Sequence, residues 1–456
     1  MAVPADRLAD RYAAVRQVMT GFGRIGGSQA AVVGLPGMGR LQELIAARPP
    51  AGVIARGAGL SYGDAALNRD GLVVTPVSTA SVNLDADRQT VTATASTTFA
   101  EILSRVVPAG FILPVLPGTR HLTVGGAIAA DVHGKNHRQA GSLSAWVERV
   151  ELLDGTGEVR QLSLASDADG LRATVGGMGL TGLVLSATIR LRRIETSMVH
   201  VISRRAGDLD SALSMLEATR SQYSVAWVDA TAPRGSLGRG VVEEADHALR
   251  ADLPGGRNEL RYRQRRARRV PAAPVPLVTP LTARALGSLR FAAAPKERSG
   301  VTDLAAFFHR LDAVHGWNQA VSPHGLVQYQ FAVPPGAETV LAEVLASVQR
   351  HRCAPVLGTL RRFGIASGGP LSFPLAGWCL AVDMPAGQAQ LGALLTGLDV
   401  RVAEAGGRIN LAKDIRLGRY AFESMYRKLP DWHAVRARLD PHGVFQSDLG
   451  RRLALC

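Results

Sequence analysis

The sequence predicts an α+β protein built from two domains, and three observations carry this prediction. The chain has 456 residues, more than the roughly 250–300 at which a single hydrophobic core stops growing. Segments with helical spacing alternate with segments of strand character along its length. It has 49 glycines but no long low-complexity tract, which places glycine in turns and close backbone approaches, as in ligand-binding enzymes.

The first predicted domain spans residues 1–195. Its predicted elements are helices at 38–48 and 98–109 and strands at 52–56, 71–77, 81–85, 90–95, 147–153, 158–163 and 182–193. The strand at 52–56 runs directly into a glycine-rich turn. A strand that feeds such a turn is typical of phosphate binding.

The second predicted domain spans 196–406, and residues 407–456 return to complete the first. Its predicted elements are helices at 208–220, 337–351 and 389–405 and strands at 224–230, 326–333, 355–361 and 378–384. They predict a second sheet with helices on one face. The segment 257–300 is rich in Arg, Pro and Ala and has little periodicity, so we expect a mobile basic loop there.

Composition excludes several classes of protein. The three cysteines, Cys353, Cys379 and Cys456, are too few and too oddly spaced for a disulfide framework or a metal site, so we expect no metal. No stretch approaches the roughly 20 continuous apolar residues of a membrane span, and the N-terminus lacks the apolar core of a signal peptide. These observations favour a cytoplasmic protein, either soluble or peripheral at a membrane.

The positive charge is concentrated in one segment. The net charge is +14, and seven arginines lie within thirteen residues, at positions 257, 261, 263, 265, 266, 268 and 269. Three interpretations remain open for this segment: a lid over a long substrate, a contact with anionic lipid, or a solvated loop. Nucleic-acid binding is disfavoured because no recognition module is present.

Two glycine-rich segments are the strongest candidates for a ligand site. The first runs from Arg56 to Asp64 and the second from Pro117 to Asn136. Small residues allow backbone N–H groups to converge on a pyrophosphate. The glycine spacing matches neither a dinucleotide GxGxxG motif nor a P-loop, which disfavours a nicotinamide-binding domain. A third glycine-rich segment, from Gly176 to Gly182, strengthens the case.

Motifs spread along the chain resemble those of the FAD-dependent decaprenylphosphoryl-β-D-ribose 2-oxidases, within the vanillyl-alcohol oxidase class. These motifs are RGAGLSYGD (56–64), PGTRHLTVGGAIAADVHGKN (117–136), ATVGGMGLTG (173–182), AKD (412–414) and DPHGVFQSDLGRRL (440–453). The resemblance covers nearly the whole chain and is weakest over 234–300. It implies a two-domain vanillyl-alcohol-oxidase-type fold, with an FAD-binding domain and a separate antiparallel-sheet substrate domain.

The resemblance implies which residues contact FAD. They are Arg56, Gly57, Ala58, Gly59, Leu60, Ser61, Tyr62, Gly63, Gly118, Thr119, Thr123, Val124, Gly125, Gly126, Ala130, Val132, His133, Gly134, Val184 and Asn410. Many proteins of the wider class bind FAD covalently through a histidine in the first segment. Leu60 occupies that position here, and we therefore expect FAD to be held without a covalent bond.

The resemblance also implies which residues face the substrate across the flavin. They are Tyr62, Lys135, Trp227, Gln328, Gln330, Arg361, Cys379 and Lys413. Oxidation of an alcohol requires a group that accepts the hydroxyl proton or stabilises the alkoxide. We predict Lys413 first, and His133 second, in these catalytic roles. Gln328 and Gln330 lie two residues apart on a predicted strand and so share one face, where they can bind sugar hydroxyls.

Three positions depart from the family pattern. A family lysine is replaced by Arg361, a family Asn-x-Cys pair by Cys379-Leu380-Ala381, and a family tyrosine near the flavin by Asn410. Arg361 keeps the positive charge and can still bind a phosphate. Cys379 and Asn410 change shape and polarity beside the flavin, which bears on the identity of the sugar more than on the reaction.

The leading functional hypothesis is FAD-dependent oxidation of the 2-hydroxyl of a polyprenylphosphoryl pentose to a ketone, the first half of an epimerisation that serves cell-wall arabinan synthesis. A separate NAD(P)H-dependent reductase is the expected partner, and oxygen and a quinone are both candidates as electron acceptor. One rival hypothesis is an oxidase of a soluble sugar, polyol or aminocyclitol. Another is a flavin-binding protein without turnover.

Overall fold

The computed structural model describes residues 14–34, 37–75, 79–253, 260–264, 267–272, 274–366 and 368–456. Strands of the first half are Val15–Met19 (β1), Ser28–Gly34 (β2), Val53–Ala55 (β3), Leu72–Thr75 (β4), Val82–Asp85 (β5), Thr90–Thr94 (β6), Phe111–Ile112 (β7), Val147–Leu153 (β8), Val159–Ser163 (β9), Leu183–Arg190 (β10) and Arg192–Arg193 (β11). Helices of this half are Met38–Ala46 (α1), Phe99–Val106 (α2), Val124–Ala129 (α3), His137–Ala140 (α4) and Ala168–Thr174 (α5).

The first half contains two main sheets. A four-stranded sheet has the order β1-β2-β4-β3, with β2, β4 and β3 parallel and β1 antiparallel to β2. A five-stranded antiparallel sheet has the order β5-β6-β10-β8-β9. Helix α2 packs on β5 and β6 through buried apolar residues that recur at helical spacing, such as Phe99, Ile102 and Val106. A capping box of Thr98 and Glu101 begins this helix.

The second half is organised around one large sheet. The strands of this half are Met198–Ala206 (β12), Tyr223–Val228 (β13), Gly240–His247 (β14), Arg268–Arg269 (β15), Glu297–Asp303 (β16), Val314–His315 (β17), Leu326–Val333 (β18), Leu357–Phe363 (β19), Gly377–Pro385 (β20) and Arg408–Ile409 (β21). The short strands β15 and β17 pair with each other in a separate sheet. The antiparallel order is β16-β12-β14-β13-β19-β20-β18-β21.

Helices cover one face of this eight-stranded sheet. The helices of the second half are Leu209–Ala218 (α6), Pro280–Ala293 (α7), Leu304–Phe308 (α8), Trp317–Val321 (α9), Thr339–Arg350 (α10), Leu391–Glu404 (α11), Arg419–Met425 (α12), Leu429–Leu439 (α13) and Asp448–Arg452 (α14). Apolar residues of α6, α10 and α11 pack in one core with Leu360, Leu380 and Phe331 of the sheet. The opposite face therefore remains for the polar side chains of β13, β18, β19 and β20.

The C-terminal residues return to the first half of the chain. Val53 of β3 bonds with Val444 and Gln446 through the main chain, and Arg452 pairs with the buried carboxylates of Asp64 and Asp414. One large core cluster includes residues of both halves. The division into domains at 195 and 406 stays a prediction.

The predicted loop over 257–300 is wrong for its last part, which forms helix α7 and the edge strand β16. The sequence pattern does not reveal α7, because the leucines of this helix face outward and only Ala283 is buried. The helix therefore has no inward-facing apolar stripe. The structure does not describe residues 254–259, 265, 266 and 273, which include three arginines of the basic cluster, at positions 257, 265 and 266. Mobility of the segment stays a prediction.

Besides β16 and the two-residue strands β7, β15, β17 and β21, four strands escaped the sequence prediction. Strand β1 is an edge strand with four of its five residues exposed, and β14 carries three acidic residues, so neither shows the expected apolar pattern. Strands β2 and β12 were also missed. None of the helices in the described part of the chain is long and apolar enough to cross a membrane.

Candidate active site

The first glycine-rich segment follows β3 and packs between the second glycine-rich segment and the AKD turn. A Cβ at Gly57 would lie 2.2 Å from Oγ1 of Thr123 in the second segment, and a Cβ at Gly63 would lie 1.8 Å from the main-chain oxygen of Asp414. Gly59 has a φ of +68°, a left-handed conformation that glycine adopts without strain. The three glycines therefore allow this turn to lie against both the second segment and the AKD turn.

Arg56 braces this turn. Its Nη2 donates to the main-chain oxygen of Thr20 at 2.8 Å, and its Nη1 donates to that of Ala66 at 3.3 Å. A guanidinium engaged in this way holds the conformation of the loop. Of the predicted cofactor residues in this segment, Arg56 thus acts on the backbone that would surround the ligand.

The second glycine-rich segment contains the whole of the short helix α3. Thr123 caps this helix and accepts a hydrogen bond from the N–H of Gly126. A Cβ built at Gly118 would have no atom within 4 Å, whereas one at Gly125 would lie 3.1 Å from the side chain of Ala95. The segment is therefore packed on one side and bare at Gly118. A bare, side-chain-free backbone fits a large planar cofactor with a pyrophosphate.

The third glycine-rich segment serves packing. A Cβ at Gly176 would lie 2.8 Å from Oγ of Ser372, and one at Gly177 would lie 2.2 Å from the main-chain oxygen of Ala173 and 3.3 Å from the indole nitrogen of Trp432. Protein atoms already fill the space beside both glycines. Val184, predicted to lie near the cofactor, is partly exposed at a β-bulge of β10.

Strand register brings the predicted substrate residues to the face of the large sheet that is turned away from helices α6, α10 and α11. Trp227, Thr359, Ala381 and Gln330 are neighbours in one row across β13, β19, β20 and β18. Partners in antiparallel strands, and residues two apart in one strand, point to the same side. Arg361, Cys379 and Gln328 share this face with that row. The sheet thus gathers five of the predicted side chains, Trp227, Gln328, Gln330, Arg361 and Cys379.

Gln330 is the centre of a hydrogen-bond chain whose directions are all determined. The main-chain N–H of Ala412 donates to Oδ1 of Asn410, so the Nδ2 of Asn410 donates to Oε1 of Gln330. The Nε2 of Gln330 then donates to Sγ of Cys379 at 3.3 Å and to Nε2 of His133 at 3.1 Å. A neutral imidazole that accepts at Nε2 carries its proton on Nδ1. His133 is therefore a donor through Nδ1.

A buried carboxylate that the sequence prediction missed occupies the same face. Asp383 is 2% exposed. It accepts from the hydroxyl of Tyr62 at 3.1 Å and from Nε2 of Gln328 at 2.9 and 3.0 Å. The Nζ of Lys413 lies 4.2 Å from the centre of the Tyr62 ring. Asp383 could have been suspected as the one charged residue in the apolar strand WCLAVDM, but its partners lie far away in sequence.

Burial changes the protonation of these groups. It lowers the pKa of Lys413 to about 8, an effect that the Asp383 carboxylate opposes and the Arg361 guanidinium reinforces. Burial raises the pKa of Asp383 to about 6, against the hydrogen bond from Gln328 and the charge of Lys413. Burial and the nearby Arg361 hold the pKa of His133 well below its usual range. Near neutral pH, His133 is therefore uncharged and Lys413 is mostly protonated, with its titration midpoint near pH 8.

Arg361 lies among these groups without a hydrogen-bond partner in the part of the chain that the structure describes, and its Nε is buried. Burial, reinforced by the charge of Arg361, also lowers the pKa of His137 to about 4. A buried guanidinium nitrogen that lacks an acceptor is costly. The arrangement therefore offers a place for an anionic group of a ligand.

Two predicted residues make separate contacts. The Nζ of Lys135 donates to the main-chain oxygen of Phe307 at 2.7 Å and lies 3.7 Å from that ring. Burial lowers the pKa of Lys135 to about 7. The guanidinium of Arg290, on α7, lies over Trp227, with its Cζ 4.2 Å from the centre of the Trp227 ring. Arg290 is not among the predicted site residues, because the sequence pattern does not reveal its helix.

The glycine-rich cradle suits a dinucleotide such as FAD, and comparison with known proteins identifies the chain as a flavoprotein oxidoreductase. A family model described as "FAD binding domain" matches residues 43–163. The chain is 38% identical over 413 residues to decaprenylphosphoryl-beta-D-ribose oxidase of Mycolicibacterium smegmatis, a match that covers 89% of each chain. It is also 41% identical over 374 residues to an uncharacterized protein of Streptomyces coelicolor, covering 78% of this chain and 100% of that one.

The chain belongs to the decaprenylphosphoryl-β-D-ribose oxidase family. It is an FAD-dependent oxidoreductase, as the sequence predicts. The roles of individual site residues are proposals, developed below.

Proposed function

We propose that this enzyme oxidises the 2-hydroxyl of a polyprenylphosphoryl pentose to a ketone, with decaprenylphosphoryl-β-D-ribose or a close relative as substrate. The observation that carries this proposal is that the amides of Gln328 and Gln330 share one sheet face with the guanidinium of Arg361, which has no hydrogen-bond partner among the described residues. The buried amine of Lys413 lies close enough to this face for its pKa to respond to Arg361 and Asp383. Gln328 and Gln330 suit sugar hydroxyls, Lys413 suits a departing proton, and Arg361 suits a phosphate. The M. smegmatis relative is named as an oxidase of decaprenylphosphoryl-beta-D-ribose.

The chain's own residues supply the binding and proton-transfer parts of the reaction. We assign FAD to the backbone of the first two glycine-rich segments, where it would supply the hydride acceptor without a covalent bond because Leu60 cannot form one. Lys413, neutral in part near pH 8, accepts the hydroxyl proton. His133 donates from Nδ1 and stabilises the oxygen as negative charge develops on it. Asn410 supports His133 indirectly, because it orients Gln330.

A second candidate substrate class is favoured by the departures from the family pattern. Cys379 and Asn410 both bond to Gln330, in the middle of the proposed sugar site, where the family has other side chains. A different set of hydrogen bonds at this point suits a different arrangement of hydroxyls. A soluble sugar, polyol or aminocyclitol is therefore the alternative to the lipid-linked pentose.

The test is the visible spectrum of the purified protein before and after anaerobic addition of a short-chain prenylphosphoryl ribose. We expect a yellow protein that bleaches on addition and releases its flavin on acid precipitation. Bleaching with ribose or a polyol alone would select the alternative. A yellow protein that no alcohol bleaches would contradict the proposal.

A second enzyme completes the proposed epimerisation. A ketone at C2 returns to an alcohol of opposite configuration only if hydride is delivered to its other face. We propose a separate NAD(P)H-dependent reductase as that partner. Mixing the oxidised product with such a reductase and NADH should yield the arabino configuration, and recovery of the ribo sugar alone would contradict this role.

We also propose peripheral contact with an anionic membrane through helix α7. Leu281, Leu286 and Leu289 are 78%, 60% and 66% exposed, and residues 260–296 contain nine Lys or Arg and no acidic residue. Exposed leucines beside clustered arginines suit the interface of a bilayer that contains anionic lipid. Arg290 of the same helix contacts Trp227, so the helix also adjoins the proposed substrate face.

Cosedimentation with vesicles tests this contact. We expect binding to phosphatidylglycerol-rich vesicles, weak binding to phosphatidylcholine vesicles, and loss of binding when the three leucines are replaced by serine. Leu164→Ser, 64% exposed on the other half of the chain, is the matched control. Equal binding by the triple variant and the control would contradict the proposal.

A further inference from the structure

Asp383 connects three side chains that the proposed reaction uses, although it belongs to none of the sequence motifs. It lies on β20 directly opposite Gln328 of β18 and accepts from both Gln328 and Tyr62. The ring of Tyr62 in turn lies against the Nζ of Lys413. Three separate parts of the chain, the first glycine-rich segment, the sheet and the AKD turn, thus meet around one carboxylate.

Burial of the Asp383 carboxylate costs free energy of folding. Asp383 is 2% exposed, and a buried charge is tolerated only when it is paired and hydrogen-bonded. Its oxygens accept from two donors that can reorient, a hydroxyl and an amide. The charge of opposite sign that acts on it is the ammonium of Lys413. An asparagine or a hydrophobic residue would fill the same space without this cost, so the charge itself has a use.

We propose that Asp383 is a positioning residue of the active site, whose carboxylate orients Tyr62 and Gln328 toward the substrate and whose negative charge controls the proton on Lys413. This inference rests on the function proposed above and deepens it. Asp383 does not touch the reacting atoms in this assignment. It acts through Lys413, which accepts the proton, and through Gln328, which binds the sugar.

The charged groups around Lys413 determine the direction of the effect. The Asp383 carboxylate raises the pKa of Lys413, while burial and the guanidinium of Arg361 lower it. His133 and Tyr62 are titratable groups nearby and both are neutral, because burial holds the pKa of His133 well below its usual range and that of Tyr62 well above its own. Removal of the Asp383 charge leaves only the influences that lower the pKa of Lys413. The amine would then lose its proton at lower pH.

The chain allows a direct measurement of this effect, because it contains only four lysines, Lys135, Lys296, Lys413 and Lys428. NMR of protein labelled with [ε-¹³C]lysine would resolve them, and Lys413→Met would assign the signal of interest. In Asp383→Asn, which keeps the shape and removes the charge, we expect the Lys413 titration to move about 1 pH unit or more toward acid. This readout needs no substrate.

Kinetics provide the second readout. The pH at which flavin reduction by prenylphosphoryl ribose reaches half its maximum should move in the same direction in Asp383→Asn. Asp383→Ala should in addition raise KM, because Gln328 and Tyr62 lose their acceptor. If Asp383→Ala does not fold, the pair Lys413→Met and Asp383→Asn/Lys413→Met serves instead, and the second substitution should add no further pH effect.

Asp154→Asn is the matched control. Asp154 is also fully buried and accepts from Thr156 and Arg160, but it lies at the β8–β9 turn. We expect its loss to lower stability and leave the Lys413 titration in place. An unchanged Lys413 titration in Asp383→Asn would overturn the proposal. Failure of prenylphosphoryl ribose to bleach the wild-type protein would overturn the proposed substrate alone, because the NMR titration is independent of it.

Discussion

The side-chain amide of Gln330 donates to Nε2 of His133 across 3.1 Å, and this bond assigns the imidazole proton to Nδ1. The direction of the bond is traceable to the main-chain N–H of Ala412, which fixes Asn410 and hence Gln330. His133 therefore contributes a donor instead of a base. The task of accepting a proton falls to Lys413.

Replacement of Gln330 by Glu should favour the protonated, charged form of His133 over the neutral form. A carboxylate has no N–H to donate and brings a negative charge within hydrogen-bond distance, so the pKa of His133 should rise by about 1–3 units. We expect ¹⁵N-histidine NMR spectra, assigned with His133→Asn, to show His133 titrating nearer its usual range.

Gln328→Glu is the control for this change, since it lies two residues away on the same strand and faces Asp383 instead. It should leave the His133 signals in place. Neutral His133 in both variants would contradict the assigned hydrogen-bond direction.

Gly57→Ala should impair FAD retention. The added methyl would overlap Oγ1 of Thr123, 2.2 Å away, and overpacking of this kind costs about 1–3 kcal/mol. The double variant Gly57→Ala/Thr123→Ala removes the overlapping oxygen at the cost of a helix cap, about 1 kcal/mol. We expect a severalfold fall in bound flavin per protein for the single variant and partial recovery for the double one. Equal flavin content in the single variant and the wild type would contradict the close contact.

Much of this site could be predicted from sequence because its parts follow local rules. Gln328 and Gln330 share a face because strand side chains alternate, and the glycines at 57 and 63 lie where backbone approaches backbone. Motif resemblance supplied the remaining positions, such as Lys413 and Arg361.

Asp383 and Arg290 could not be predicted in this way. The partners of Asp383 lie 55 and 321 residues away in sequence, and only strand register and the return of the first segment bring them together. Arg290 reaches Trp227 from a helix whose leucines face solvent. Its amphipathic pattern is inverted relative to that of a core helix, so hydrophobic periodicity does not reveal it.

The rate of flavin reduction should rise with pH through about 8. Lys413 accepts a proton only when neutral, and burial lowers its pKa to about 8, so the rate should fall about tenfold per pH unit well below that value. Lys413→Met should abolish this dependence and slow reduction by roughly 10²–10⁴-fold while FAD stays bound. Stopped-flow absorbance from about pH 6 to about pH 10 would measure the rate of flavin reduction and its pH dependence. Lys428→Met, an exposed lysine on the same half of the chain, should behave as wild type.

Arg361→Met should weaken binding of the phosphorylated substrate. It should change the maximal rate little at a pH well above the Lys413 titration, although loss of the guanidinium also raises the pKa of Lys413. A hydrogen bond to a charged group contributes about 1.5–3 kcal/mol, so KM should rise roughly 10- to 100-fold. The same substitution should leave the weaker binding of unphosphorylated ribose unaffected, because no anion is present to pair with the guanidinium. Arg361→Lys should recover part of the affinity through its charge, without bidentate geometry.

The neighbouring Arg362 provides the matched control for this prediction. It lies on the opposite face of β19, where it pairs with Glu217 of α6 and lies over the ring of Trp378. Arg362→Met removes an arginine of equal size from the same strand, yet it should leave KM for the phosphorylated substrate at the wild-type value. Equal effects of the two substitutions would mean that strand stability, and not phosphate recognition, accounts for the loss at Arg361.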